Sequence, residues 1–72
     1  MADFIGHGML SCYSREIEFS RPTKLGALIA DLNLPEDLRE ILIAVRDKKL
    51  VDDAELISGG DTVHLFIAPH GG

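Results

Sequence analysis

The chain of 72 residues permits one domain and leaves no room for a second, near the lower size at which a single core sustains itself. Its 46% hydrophobic and 26% charged residues are those of a globular chain rather than a disordered one, despite a net charge of -5. Seven Lys and Arg against twelve Asp and Glu argue against nucleic acid, since phosphate neutralisation needs clustered cations, and favour a partner with a basic docking surface.

Along the chain, Ala2 to Gly8 reads as a weak first strand around Phe4 and Ile5, with Gly6 and Gly8 as marks against a regular interior strand. The stretch GMLSCYS is ambiguous. Arg15 to Phe19 alternates, placing Ile17 and Phe19 on one face and Glu16 and Glu18 on the other, which predicts a strand. Arg21-Pro22-Thr23 ends it, and Thr23 is expected to cap a helix whose Leu25, Leu28, Ile29 and Leu32 recur at helical spacing and pack on a sheet. Asn33-Leu34-Pro35 closes that helix. Pro35-Glu36-Asp37 can open a short second one, with proline first and acids at its positive end. Residues 41–46 predict a central strand with Ile41, Ile43 and Val45 on one face and Leu42, Ala44 and Arg46 on the other. Asp47-Lys48-Lys49 turns the chain, Leu50-Val51 forms a short strand, and Ser58-Gly59-Gly60-Asp61 is a strong turn signal, expected to close a hairpin. Thr62 to Ile67 is the last strand.

This order is that of an α+β domain, a mixed sheet with one helix across one face. In the last strand Val63, Leu65 and Ile67 belong to the core, so Phe66 lies beside His64 on the open face, with Leu42 and Ala44 of a neighbouring strand. An apolar cluster there is a candidate docking patch. A one-residue slip in register would bury Phe66 instead. No apolar run reaches the length of a membrane span, because stretches such as residues 41–45 are short and bounded by charges. The start, MADFIGHGML, lacks the basic head and sustained apolar run of a signal peptide. Cys12 is the single cysteine and has no partner for an internal disulfide. The expectation is a reducing, cytoplasmic setting without membrane contact.

Candidate chemistry within the domain is sparse. His7, His64, His70 and Cys12 do not stand at metal-ligand spacing, so no metal site is expected. Cys12 has no evident base beside it and reads as a partly buried, inert thiol. Gly59-Gly60-Asp61 lacks the lysine of a phosphate loop, and Asp61 would repel an anion. Asp52, Asp53 and Glu55 read as a solvated acidic surface, and a pocket of roughly 300 Å³ is hard to build into so small a domain. No intrinsic catalysis and no bound cofactor are expected.

The remaining reactive group is the carboxylate of Gly72. Next to a CH₂ it is unhindered, so an ATP-using enzyme can convert it to an acyl-adenylate open to a sulfur or amine nucleophile. Residues 1–67 would form the domain and 68–72 an arm that reaches roughly 16–18 Å when extended. Pro69 stiffens the base of the arm, His70 is an exposed, passive side chain on it, and Gly71 and Gly72 let its tip adopt the angles a narrow channel demands.

The stretch AVRDKKLVDDAELISGGDTVHLFIAPHGG, with the helix at Leu25 to Leu32 and FIGHGML near the start, resembles the β-grasp, ubiquitin-like sulfur carriers. That family comprises the small subunit of molybdopterin synthase (MoaD) and the thiamine-pathway carrier (ThiS). The likeness is closer to the MoaD type, through the first strand and the length of the tail. It implies a β-grasp sheet with one main helix packed across one face. Gly60 and Asp61 match the family's turn, Phe66 its partner-binding strand, and Gly71 and Gly72 its activated tail. Phe66, His64, Pro69 and His70 make up the expected partner-binding set, and Gly71 and Gly72 the activated C-terminus. The implied function is that of a protein co-substrate. An E1-like adenylating enzyme uses ATP to activate Gly72, a thiocarboxylate forms, and sulfur passes to a biosynthetic enzyme such as the large subunit of molybdopterin synthase. A ubiquitin-like modifier joined through Gly72 to lysines of target proteins needs the same activation and is the alternative.

Overall fold

The structure, a computed structural model, describes residues 1–68. Expectations for Pro69, His70, Gly71 and Gly72 lie outside the described residues. Strand β1 (Ala2–Gly6) is followed by a 3₁₀ helix (Gly8–Tyr13) and by β2 (Arg15–Ile17). Then come β3 (Thr23–Lys24), α1 (Leu25–Ala30), α2 (Glu36–Glu40), β4 (Leu42–Arg46), β5 (Lys49–Val51), β6 (Leu56–Ile57) and β7 (Thr62–Ile67). The domain is α+β, with a five-stranded mixed sheet in the order β2-β1-β7-β4-β5 and a separate two-stranded sheet of β3 and β6. Its interior strands β1 and β7 are parallel, and every other pairing is antiparallel.

One face of the large sheet carries the core. Leu25, Leu28, Ile29 and Leu32, the expected helical stripe, are all buried there with Phe4, Leu10, Ile17, Ala44, Val51, Ile57, Val63 and Leu65. The helix is shorter than the stripe. It ends at Ala30, and Leu32 reaches the core from the following turn, which Asn33 closes at φ 55°. Thr23 does not cap it: the Thr23 hydroxyl donates to the Arg21 carbonyl, while Thr23 pairs with Ile57 in the small sheet. The short helix opens with Pro35 as its N-cap and Glu36 and Asp37 in its first turn, as the proline and acids imply.

Two turns fix the ends of the central strands. Asp47 and Lys48 form a two-residue hairpin loop between β4 and β5, both at positive φ (53° and 66°), the signature of a type I′ turn. Ser58 to Asp61 is a turn, as expected, but not a hairpin. It links β6 of the small sheet to β7 of the large one. Gly60 adopts φ 90° and donates its amide to the Met1 carbonyl at 2.8 Å. The Asp61 carboxylate accepts from the Ser58 amide at 2.8 Å and from Arg46 at 3.2 Å, while the Asp61 carbonyl accepts from the Asp3 amide at 3.0 Å. One aspartate thus ties the turn to β4 and to the start of β1.

Candidate partner-binding face

Strand pairing decides which side chains share the helix-free face. Directly paired residues project to the same side of a sheet. Ile5 and Val45 pair with His64, Ile43 pairs with Phe66, Asp3 with Thr62, and Leu50 with Val45. Val63 and Leu65 are completely buried on the other side, while Phe66 is 38% exposed, so the expected facing of β7 holds. The expected neighbours do not. Ala44 is buried in the core and Leu42 packs against it; Ile43 and Val45 flank Phe66 and His64 instead. Ile5, Phe66 and Leu50 are the exposed apolar members of a stripe that crosses four strands.

His7 completes this face. The last residue of β1 is glycine where the 3₁₀ helix crosses it, so closely that a Cβ there would collide with the Leu10 carbonyl. The His7 amide then donates to the Leu65 carbonyl at 3.0 Å. The imidazole of His7 stacks on Phe66 with ring centroids 4.5 Å apart and planes 7° from parallel. Its Nε2 lies 2.9 Å from Nδ1 of His64, a hydrogen bond in which one ring donates and the other accepts. Phe66 is therefore exposed but held, with an aromatic ring against it and a second imidazole fixing that ring.

Beside the pair lies an open groove of about 570 Å³, lined by His64, Phe66, Val45 and the two turns at Asp47-Lys48 and Gly60-Asp61. It is larger than so short a chain suggested, because the hairpin loop and the 58–61 turn stand up at the same end of the sheet. Among the described residues no three His, Cys, Asp or Glu side chains gather as a metal-ligand group. Cys12 lies exposed on the 3₁₀ helix rather than partly buried, since Leu10 takes the inward position of that short segment. The acidic loop is solvated, as expected, with Asp52 and Asp53 exposed; there Asp53 pairs with Arg39, Glu55 with Arg46, and Asp52 accepts from the Ala54 amide.

Of the expected partner-binding residues, Phe66 and His64 come together on one face, and Pro69 and His70 lie outside the described residues. Ala68, the first residue of the expected arm, still donates its amide to the Ile41 carbonyl at 2.8 Å and so prolongs the ladder by one bond. His7 is the residue that sequence reasoning missed. Its signal was faint, a histidine between two glycines just past the first strand, and only the parallel pairing of β1 with β7 brings it to Phe66. Among the described residues no helix is long and apolar enough to cross a membrane. Compared with protein-family models and with curated proteins, the chain matches none.

Proposed function

We propose that the protein is a β-grasp sulfur carrier, of the molybdopterin type in preference to the thiamine type. In this reading an E1-like enzyme adenylates the Gly72 carboxylate: a carboxylate oxygen attacks the α-phosphate of ATP and pyrophosphate leaves. Hydrosulfide then attacks the acyl carbon and displaces AMP, and the resulting thiocarboxylate donates its sulfur to a biosynthetic enzyme such as a molybdopterin synthase large subunit. The protein is a co-substrate of cytoplasmic enzymes rather than a catalyst.

The observation that carries this reading is Phe66, exposed on a helix-free sheet face at the end of the interior strand that leads into the glycine pair. A docking patch and a reactive tail on the same strand let a partner grip the domain while its active site receives the arm. Ala68 still bonds the Ile41 carbonyl of the neighbouring chain segment, so the ladder carries the chain up to the last described residue. A mixed sheet crossed on one face by one main helix supports the β-grasp assignment. The net charge of -5 supports a basic partner surface.

Co-expression with an E1-like enzyme, followed by intact-mass measurement, tests the proposal. A mass gain equal to one oxygen replaced by sulfur, absent when Gly72 is deleted, is the expected result. Gly-Gly remnants on lysines of other proteins, without any thiocarboxylate, would replace the carrier by the modifier.

A further inference from the structure

We infer that His7 and His64 form a binding site for a divalent transition-metal ion, with Cu²⁺ preferred over Ni²⁺ and Zn²⁺. Spacing along the chain gives no hint of it, because the two residues are 57 positions apart and meet only through the parallel pairing of β1 with β7. Their facing nitrogens, Nε2 of His7 and Nδ1 of His64, are 2.9 Å apart. The 2.9 Å separation is that of an N–H···N hydrogen bond, and it shows that the two rings already present one ring nitrogen each to the same side of the sheet, close enough for one ion to bridge after a small rotation of each. Two imidazoles with open water positions suit Cu²⁺, Ni²⁺ and Zn²⁺, and Cu²⁺ stands highest in the order of affinities.

The surroundings allow the exchange of hydrogen bond for metal bonds. Today a ring proton lies between the nitrogens, and the two lone-pair directions point along one line. Coordination needs both rings to tilt so that the lone pairs converge on the groove. His7 can tilt within its own plane and keep its stacking on Phe66, whose ring is 7° from parallel. The groove of about 570 Å³ has room for the ion and for waters at its remaining positions. Asp47 and Asp61 line the same groove, offset by Lys48, and Asp61 is already held by Ser58 and Arg46.

Proton accounting is simple. In the neutral pair one of the two facing nitrogens carries a hydrogen. Metal binding moves that ring to its other tautomer, leaving N–H groups on His7 Nδ1 and His64 Nε2, with no net proton release. His64 lies on the interior strand β7 and His7 directly follows β1, with its backbone tied to Leu65, so little backbone ordering accompanies binding.

The test uses the full chain and its His70→Ala variant, stripped of metal and titrated with Cu²⁺ alone. The expected result is one ion per chain in both proteins, an electron paramagnetic resonance signal with two equatorial imidazole nitrogens, and NMR broadening centred on the His7 and His64 rings. His7→Gln and His64→Gln should each weaken binding at least tenfold while keeping the far-ultraviolet circular dichroism of the parent. At a hundredfold excess over Kd the melting temperature should rise by about 10–20 °C. Loss of binding in His70→Ala, broadening centred on the Met1 amine, or unchanged binding in the two Gln variants would overturn the site. Because the resonance measurements need only the unsubstituted rings, they decide the matter even if a variant fails to fold.

Discussion

Leu65 and Phe66 are neighbours in sequence on opposite faces of β7, and truncating each to Ala should separate core from the proposed docking face. Leu65 is completely buried, so Leu65→Ala should cost about 2–5 kcal/mol in lost transfer energy and residual cavity. Phe66 keeps 38% of its surface in water. With roughly 60% of the 1.5–3 kcal/mol of full burial at stake, and its stacking on His7 lost, Phe66→Ala should cost about 1–2 kcal/mol. For a 72-residue domain, whose total stability is about 4–11 kcal/mol, the first change removes a large share and the second a small one. Melting temperatures should fall by about 5–15 °C for Phe66→Ala and by at least twice as much for Leu65→Ala. Urea unfolding followed by circular dichroism reads both. If Leu65→Ala is too unstable to fit, Val63→Ala probes the same face two positions earlier. Equal losses at Phe66 and Leu65, or a larger loss at Phe66, would refute the assigned facing of the strand and the docking surface with it.

Three further outcomes follow from local geometry. Gly6→Ala should destabilise by about 2–3 kcal/mol or more, because its Cβ meets the Leu10 backbone, which cannot rotate away; a melting curve matching the parent would contradict that close approach. Replacing Asp47-Lys48 by Asn-Gly should stabilise by about 1 kcal/mol, since both positions hold positive φ that Asn and Gly adopt more cheaply, and a raised urea midpoint would show it. Arg46→Met should cost about 1–2 kcal/mol, because the guanidinium bonds Asp61, Glu55 and the Leu56 carbonyl while only 23% exposed; an unchanged midpoint in urea would assign those contacts no weight.

What could be read from the chain was whatever one residue pattern specified alone. The boundaries of β7 and the stripe of Leu25, Leu28, Ile29 and Leu32 were legible because period-2 and helical spacing are strong local signals. The phase of β4 was not. Residues 41–45 are apolar at every position, so no alternation tells the core side from the open side. The phase is settled instead by the small Ala44 fitting the core and by Arg46 reaching Glu55 and Asp61. Pairing between two-residue strands is similarly mute in sequence. Thr23 looked like a helix cap because its type favours that place, but the β3–β6 pairing takes it first. Half of the candidate site followed from alternation in β7, which exposes His64 and Phe66. The other half, His7 and Ile43, depends on which strands lie side by side, a property no single segment encodes.

The central claim is that Gly72 is the chemically active position and the folded domain its handle. Intact-mass measurement after incubation with an E1-like enzyme, ATP and a sulfur source tests this most directly, with the parent chain, a Gly72 deletion and Phe66→Glu run side by side. The account predicts a thiocarboxylate on the parent, none on the deletion despite an unchanged melting curve, and slowed formation on a still-folded Phe66→Glu. A parent chain left unmodified by an enzyme active on its own carrier, or sulfur loaded equally on the deletion, would contradict it.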